Sequence, residues 1–135
     1  MEQKILIYGH GDKRPEFGFP TDRDIEQWIK EDIFSKYRGR YHYTIGKDAD
    51  VIILSREGLA YGHFLIDGKV NPDQKDYQDY PETKFVYVVR SSVLYGKPVR
   101  LSDFGIKDIH FGKSITEAQL DEIKKAAGEV QEYPK

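Results

Sequence analysis

Residues 36–43, KYRGRYHY, alternate cations with rings. Lys36, Arg38, Arg40 and His42 interleave with Tyr37, Tyr41 and Tyr43, and no acid falls between Asp32 and Asp48. Cationic groups attract phosphates and tyrosine rings stack on bases, so this mixture suits a strand that follows a nucleic acid. It equally describes a solvated helix end followed by a half-buried strand. Upstream, Phe17 and Phe19 flank Gly18 in the polar segment HGDKRPEFGFP, residues 10–20, where nothing local packs them. They are either plugs under one end of a barrel or stacking surfaces. The four histidines are His10, His42, His63 and His110. None pairs with another at H-x-x-x-H spacing, and His10 with Asp12 stands alone, so no metal or other cofactor is expected.

The stretch DVIILSREGLAYGHFLIDG, residues 50–68, poses a second question, because Gly62 and His63 stand side by side in an apolar strand. Alternation puts Leu59, Tyr61, His63 and Leu65 on one face and Ala60, Gly62, Phe64 and Ile66 on the other. Glycine inside a strand marks a bulge, a bend or a close backbone approach, and here it would let a small barrel close. His63 is then either a hydrogen-bonded structural histidine or a pocket group. Other sets lead nowhere. YGHGDK, residues 8–13, lacks the spacing of a phosphate loop and runs into a proline-containing loop. No G-x-S-x-G or Ser/His/Asp set is present. Asp22 and Asp24 suit the dipole of a helix start.

The 135 residues suit one domain, 1–135. Hydrophobic residues make up 39% and charged residues 33%, the composition of a globular chain. The formal net charge of −2 means that any nucleic-acid contact relies on a local basic patch. No apolar run approaches the ~20 residues of a membrane span, and MEQKILIYGH is no signal peptide, so a cytoplasmic protein without a membrane partner is expected. The absence of cysteine excludes disulfides and thiolate chemistry. Ten tyrosines, seven phenylalanines and one tryptophan give an aromatic excess that serves cores and binding surfaces alike.

These residues must be held by strands and two helices. KILIYG (4–9) reads as a strand. Thr21 with Asp24 starts a helix on which Ile25, Trp28, Ile29, Ile33 and Tyr37 share a face, Trp28 as core, and Gly39 ends it. Strands follow at 40–45, 50–55 and 59–66, the last two a hairpin turned by REG. Residues 67–83 read as an acidic flap without regular structure. KFVYVVR (84–90) is a strand, 91–98 a link, and 99–104 a short strand or edge. Thr116 and Gln119 form a capping box for a last helix that buries Leu120, Ile123 and Ala127 and ends near Gly128. Strands that cluster without helices between them predict an α+β fold, a small, curled, mainly antiparallel β-barrel flanked by helices.

The segment GKDADVIILSREGLAYGHFLI resembles the hairpin of PUA-like domains, the superfamily of EVE, YTH and ASCH domains and of the N-terminal modified-base-reading domains of McrBC-type restriction enzymes. FVYVVRSSVLYGKPVRLSDF is similar to their following strand, and SITEAQLDEIKK to their closing helix. The likeness covers most of residues 4–128. It implies a barrel that holds a flipped, modified base, such as a methylated one, in an aromatic cage. The EVE and YTH cages are rich in tryptophan, whereas here Phe and Tyr would have to serve.

The expectation is a nucleic-acid-binding module, DNA ahead of RNA, without catalysis of its own. The chain reads as an excised N-terminal domain whose partner is an effector domain or subunit of a larger enzyme. Phe17, Phe19, Tyr41 and Tyr43 would stack. Tyr8, His10, His63, Arg90 and Ser91 would bond a base edge or phosphate. Arg38 and Arg40 would contact the backbone. The rivals are a small ASCH-like hydrolase or nuclease using His63 or His10 with a carboxylate, and a protein-interaction domain using the acidic flap.

Overall fold

The computed structural model describes residues 3–9, 25–43, 47–79, 84–107 and 112–134, the side chains of Tyr43 and Asp79 excepted. The expected sites His10, Phe17 and Phe19 and the helix start at Thr21 and Asp24 lie outside the described residues.

Seven strands make one mixed sheet: β1 (Ile5–Gly9), β2 (Arg40–Tyr43), β3 (Val51–Arg56), β4 (Leu59–Val70), β5 (Phe85–Arg100), β6 (Lys113–Ile115) and β7 (Val130–Tyr133). Their spatial order is β2-β5-β4-β3-β1-β6, with β7 also on β5. β1 and β3 run parallel, and the remaining pairs are antiparallel. The fold is therefore α+β and mainly antiparallel, but the sheet is not closed: among the described residues its ends, β2 and β6, are not paired. It is curled. β1 and β5 are separated by β3 and β4, about 14 Å along a flat sheet. Yet the Tyr8 and Tyr87 hydroxyls lie 2.8 Å apart.

Alternation divides the core between the faces. Leu6, Tyr8, Ile52, Leu54, Phe64, Tyr87 and Leu94 line the concave face. Ile5, Ile7, Val51, Ile53, Val93, Tyr95 and Val99 line the other. The concave face is filled by α1, a helical segment at 25–35 whose middle, Trp28–Asp32, is a π turn. The wider turn lets Trp28, Ile29 and Ile33 all reach the core. The buried Ser92 hydroxyl donates to the Ile29 carbonyl at 2.7 Å and pins α1 to β5. The helix ends at Ser35, and the Gly39 N–H, at φ +70°, bonds back to the Ile33 carbonyl. The other face is covered by α3 (Glu117–Ala127), which has the expected Thr116–Gln119 capping box and buries Leu120, Ile123 and Ala127.

Two expectations need correction, and one strand was not foreseen. Residues 67–83 are not irregular throughout: β4 runs to Val70, and Gln74–Asp79 form a helix, α2. Asp73 and Asp76 cap its start reciprocally, the pattern of a capping box with aspartate in place of glutamate. Residues 91–98 are no link, because β5 is one strand of sixteen residues. Pro98 is tolerated since β4 pairs with Leu94 and Val99 but with nothing between them, so no ladder bond is lost. Finally, the chain after Gly128 is β7, a strand too polar to show an apolar alternation.

The hairpin at 51–70 turns on Glu57 and Gly58, both at positive φ. Its register slips at Leu54/Ser55 and at Ala60/Gly62, which places a bulge at Tyr61. The bulge breaks the expected alternation. Tyr61 packs with Phe64 and Ile66, while Ala60 joins the opposite face. Gly62 stands where β5 comes closest: a Cβ there would lie 2.3 Å from the Val93 carbonyl oxygen and 2.9 Å from Ile29 Cδ1. Close approach is thus the reason for the glycine.

Candidate nucleic-acid interface

Five rings meet on the concave face. Tyr8 and Tyr41 stack with centroids 6.0 Å apart. Trp28 and Phe64 pack on Tyr41 at 5.5 and 5.6 Å, and Tyr87 meets it edge-on at 5.8 Å. Tyr8, Tyr41, Tyr87 and Phe64 are wholly buried, so in this state the cluster is a filled core and not an open cage. The polar tips of Tyr8 and Tyr87 are satisfied internally. The Tyr8 and Tyr87 hydroxyls bond each other, and Tyr87 donates to the Lys47 carbonyl. Burial raises the Tyr87 pKa, so the phenol stays protonated. Gly112 lies against the Tyr8 ring, and Lys47 Nζ bonds its carbonyl at 3.0 Å, strapping the chain before β6 to the chain before β3.

Of the basic residues of 36–43, Arg38, Arg40 and His42 are occupied. Arg40 grips the fully buried Asp76 carboxylate with Nε at 3.0 Å and a terminal nitrogen at 2.6 Å. Arg38 adds a bond at 2.9 Å and His42 Nε2 one at 2.7 Å. Burial alone would raise the Asp76 pKa, but hydrogen bonds from Arg40, the Asp73 N–H and His42 hold it well below the usual carboxylate range. The bond to Asp76 raises Arg40 further. Burial lowers His42 despite its bond to the same carboxylate, so it is neutral near pH 7. Arg38 and Arg40 are then balanced by Asp73 and Asp76, and these four side chains together carry no net charge.

His63 lies on the opposite face from Tyr8 and Tyr41. Its Nδ1 bonds the Tyr95 hydroxyl at 2.8 Å, it is 2% exposed, and burial lowers its pKa to about 3. Arg90 is exposed on β5 and pairs loosely with Asp67 at 3.5 Å, next to half-buried Ser91. Of the expected residues, therefore, Tyr8 and Tyr41 come together, as do Arg38 and Arg40. His63, Arg90 and Ser91 stand apart from both pairs. Tyr43 contributes its backbone to β2.

Sequence reasoning did not select Tyr87 or Phe64 for this cluster. The period-two pattern of KFVYVVR would have found Tyr87, because it pairs directly with Tyr41 across β2 and β5. It also passed over a cleft of about 640 Å³ at the carboxyl ends of the parallel strands β1 and β3. Gly9, Ser55, Glu57, Arg100, Ser102 and Lys107 line it. The Ser55 hydroxyl bonds the Tyr8 carbonyl at 3.0 Å, so this cleft adjoins the ring cluster. Among the described residues, Arg100 and Lys107 have no ion-pair or hydrogen-bond partner for their side chains, unlike Arg38 and Arg40. Also among the described residues, no set of three His, Asp or Glu side chains could hold a metal ion, and no helix is long and apolar enough to cross a membrane.

Comparison of the chain with protein-family models, with curated proteins and with solved structures found no match.

Proposed function

We propose that this chain is a nucleic-acid-binding module that reads a modified base, built on a PUA-like sheet curled toward a barrel and devoid of catalysis. DNA is the favoured polymer, and an effector domain or subunit supplies any chemistry. One observation carries the reading: the cleft at the ends of β1 and β3 brings Arg100 and Lys107, two cations that pair with no described residue, beside the strand that holds Tyr8 in the ring cluster, with Glu57 the one described carboxylate in the lining. Phosphates are drawn to the cations, and the rings lie buried behind β1, so a base stacks on them when the cluster opens. Carboxyl ends of parallel strands are a common place for ligands to bind. The hydrolase reading loses support at His63, which is sealed from solvent and bonded to a phenol instead of a carboxylate.

The test is fluorescence polarisation with matched modified and plain oligonucleotides over a salt series. Arg100→Ala and Lys107→Ala should each weaken all sequences alike and reduce the salt slope by about one. Absence of binding below about 100 μM at low salt would refute the proposal, since even non-specific binders reach 10⁻⁴–10⁻⁶ M.

A further inference from the structure

We propose that Arg38, Arg40 and His42 form a second phosphate site, which the chain's own Asp76 occupies, and that phosphates of an external polyanion bind there when α2 leaves. The inference rests on the nucleic-acid reading only for the identity of the natural ligand.

The geometry is that of anion recognition. A guanidinium fork from Arg40, a second guanidinium from Arg38 and an imidazole from His42 converge on two carboxylate oxygens within 2.6–3.2 Å. Arginine favours planar, bidentate contact with carboxylate and phosphate alike. A phosphate offers the same negative charge with more oxygens, so it can replace the carboxylate bond for bond.

The occupant is anchored by ionic bonds at Asp76 and by little packing. Of the described side chains in α2, Gln74, Lys75, Tyr77 and Gln78 are exposed and Asp76 alone is buried. Six residues are too few to hold a helix without tertiary support. The helix is an excursion between β4 and β5, so it can swing away without breaking the sheet. The site lies on β2, an end strand of the sheet, where a long ligand can approach.

Release changes the electrostatics. With α2 seated, Asp73 and Asp76 cancel Arg38 and Arg40; with α2 gone, β2 and the turn before it present two guanidiniums whose carboxylates have left. A tethered carboxylate competes at an effective concentration in the millimolar range. Isolated phosphate therefore displaces it poorly, and a ligand with several linked phosphates displaces it well. The closed flap explains how a chain of net charge −2 can keep a basic patch in reserve.

The experiment titrates inorganic pyrophosphate and a short oligonucleotide into the wild-type chain and into Asp76→Asn, by calorimetry at low salt. Hydrogen exchange of residues 73–79 is followed in parallel. Asp76→Asn should bind pyrophosphate at least tenfold more tightly than wild type, and Arg40→Gln added to it should abolish the gain. In the wild type, saturating pyrophosphate should speed exchange at 73–79 and leave β3 and β4 unchanged. If Asp76→Asn does not fold, the wild-type exchange arm decides alone. A folded Asp76→Asn without tighter binding overturns the site, as does binding with exchange at 73–79 unchanged. An oligonucleotide that binds with α2 still protected overturns this site and leaves the reader standing. Pyrophosphate binding as described, with no oligonucleotide bound, supports the site and refutes the reader.

Discussion

His42 and His63 are both nearly sealed from solvent, at 4% and 2% exposure, and both have lost the proton that an exposed imidazole holds below pH 6.5. They lose it in different company. His63 faces a neutral phenol among aliphatic side chains, so nothing repays the burial of a charge, and Lys124 opposes it further. His42 faces a carboxylate that would welcome a proton, but Arg40 and Arg38 already claim that carboxylate. Burial is the first cause in both. The first region is held by packing and the second by ions, so the two should fail under different stresses.

The largest effect is expected beside His63. Gly62→Val drives a side chain into the Val93 carbonyl and Ile29, and should cost about 3 kcal/mol in urea unfolding, with little dependence on salt. An unchanged midpoint would show that β5 has room to retreat. Asp76→Ala comes next. It strips the carboxylate from two arginines, and because Arg38 is 39% exposed and can rehydrate, the cost should be about 2 kcal/mol and not the full penalty of a buried charge. That loss should shrink in about 1 M salt; if it does not, Asp76 acts by packing and the contrast between the regions collapses.

The smallest effect at neutral pH isolates His63 itself. The unfolded imidazole binds a proton at about pH 6.5, and the folded one only near 3. As pH falls through this window, protons therefore favour the unfolded chain, by up to about 1.4 kcal/mol per pH unit. Replacing both partners, His63→Leu with Tyr95→Phe, leaves no orphaned polar group and should cost under about 1 kcal/mol at pH 7.5. Unfolding of that double variant between pH 4 and 6.5 should lose this part of the slope. Should the slope persist in full, His63 is not the group that titrates.

What could be read from the sequence was local. The turn at Glu57 and Gly58, the Thr116–Gln119 cap and the buried stripe of Leu120, Ile123 and Ala127 are each set by residues a few positions apart. Gly62 allowed a bulge among other readings, but its place at Tyr61 was not legible, because one extra residue leaves composition unchanged while turning side chains to the other face. The continuation of β5 through 91–98 was also hidden, and Pro98 is tolerated in it because its missing N–H falls where no partner strand needs it. The site was less legible than the fold. Arg38 and Arg40 stood out as free cations because Asp76, thirty-six positions after Arg40, was one acid among several in 67–83. Tyr8 and Tyr87 meet only because the sheet curls, and no spacing rule connects residues seventy-nine positions apart.

β5 carries a consequence for how the chain behaves among its own copies. FVYVVRSSVLYGKPVR holds two uncharged stretches rich in β-branched and aromatic residues, 85–89 and 91–95, the kind of segment on which separate molecules template fibrils when its edge is bare. One edge lies on β4. The other is shared end to end by two short strands, β2 over Phe85–Val88 and β7 over Ser92–Tyr95. Neither is long enough to look like a main element of the sheet, yet together they act as gatekeepers against aggregation. The short last strand thus guards the solubility of the longest one, and proteolytic loss of 130–133 would expose the backbone of Ser92–Tyr95 to the next chain.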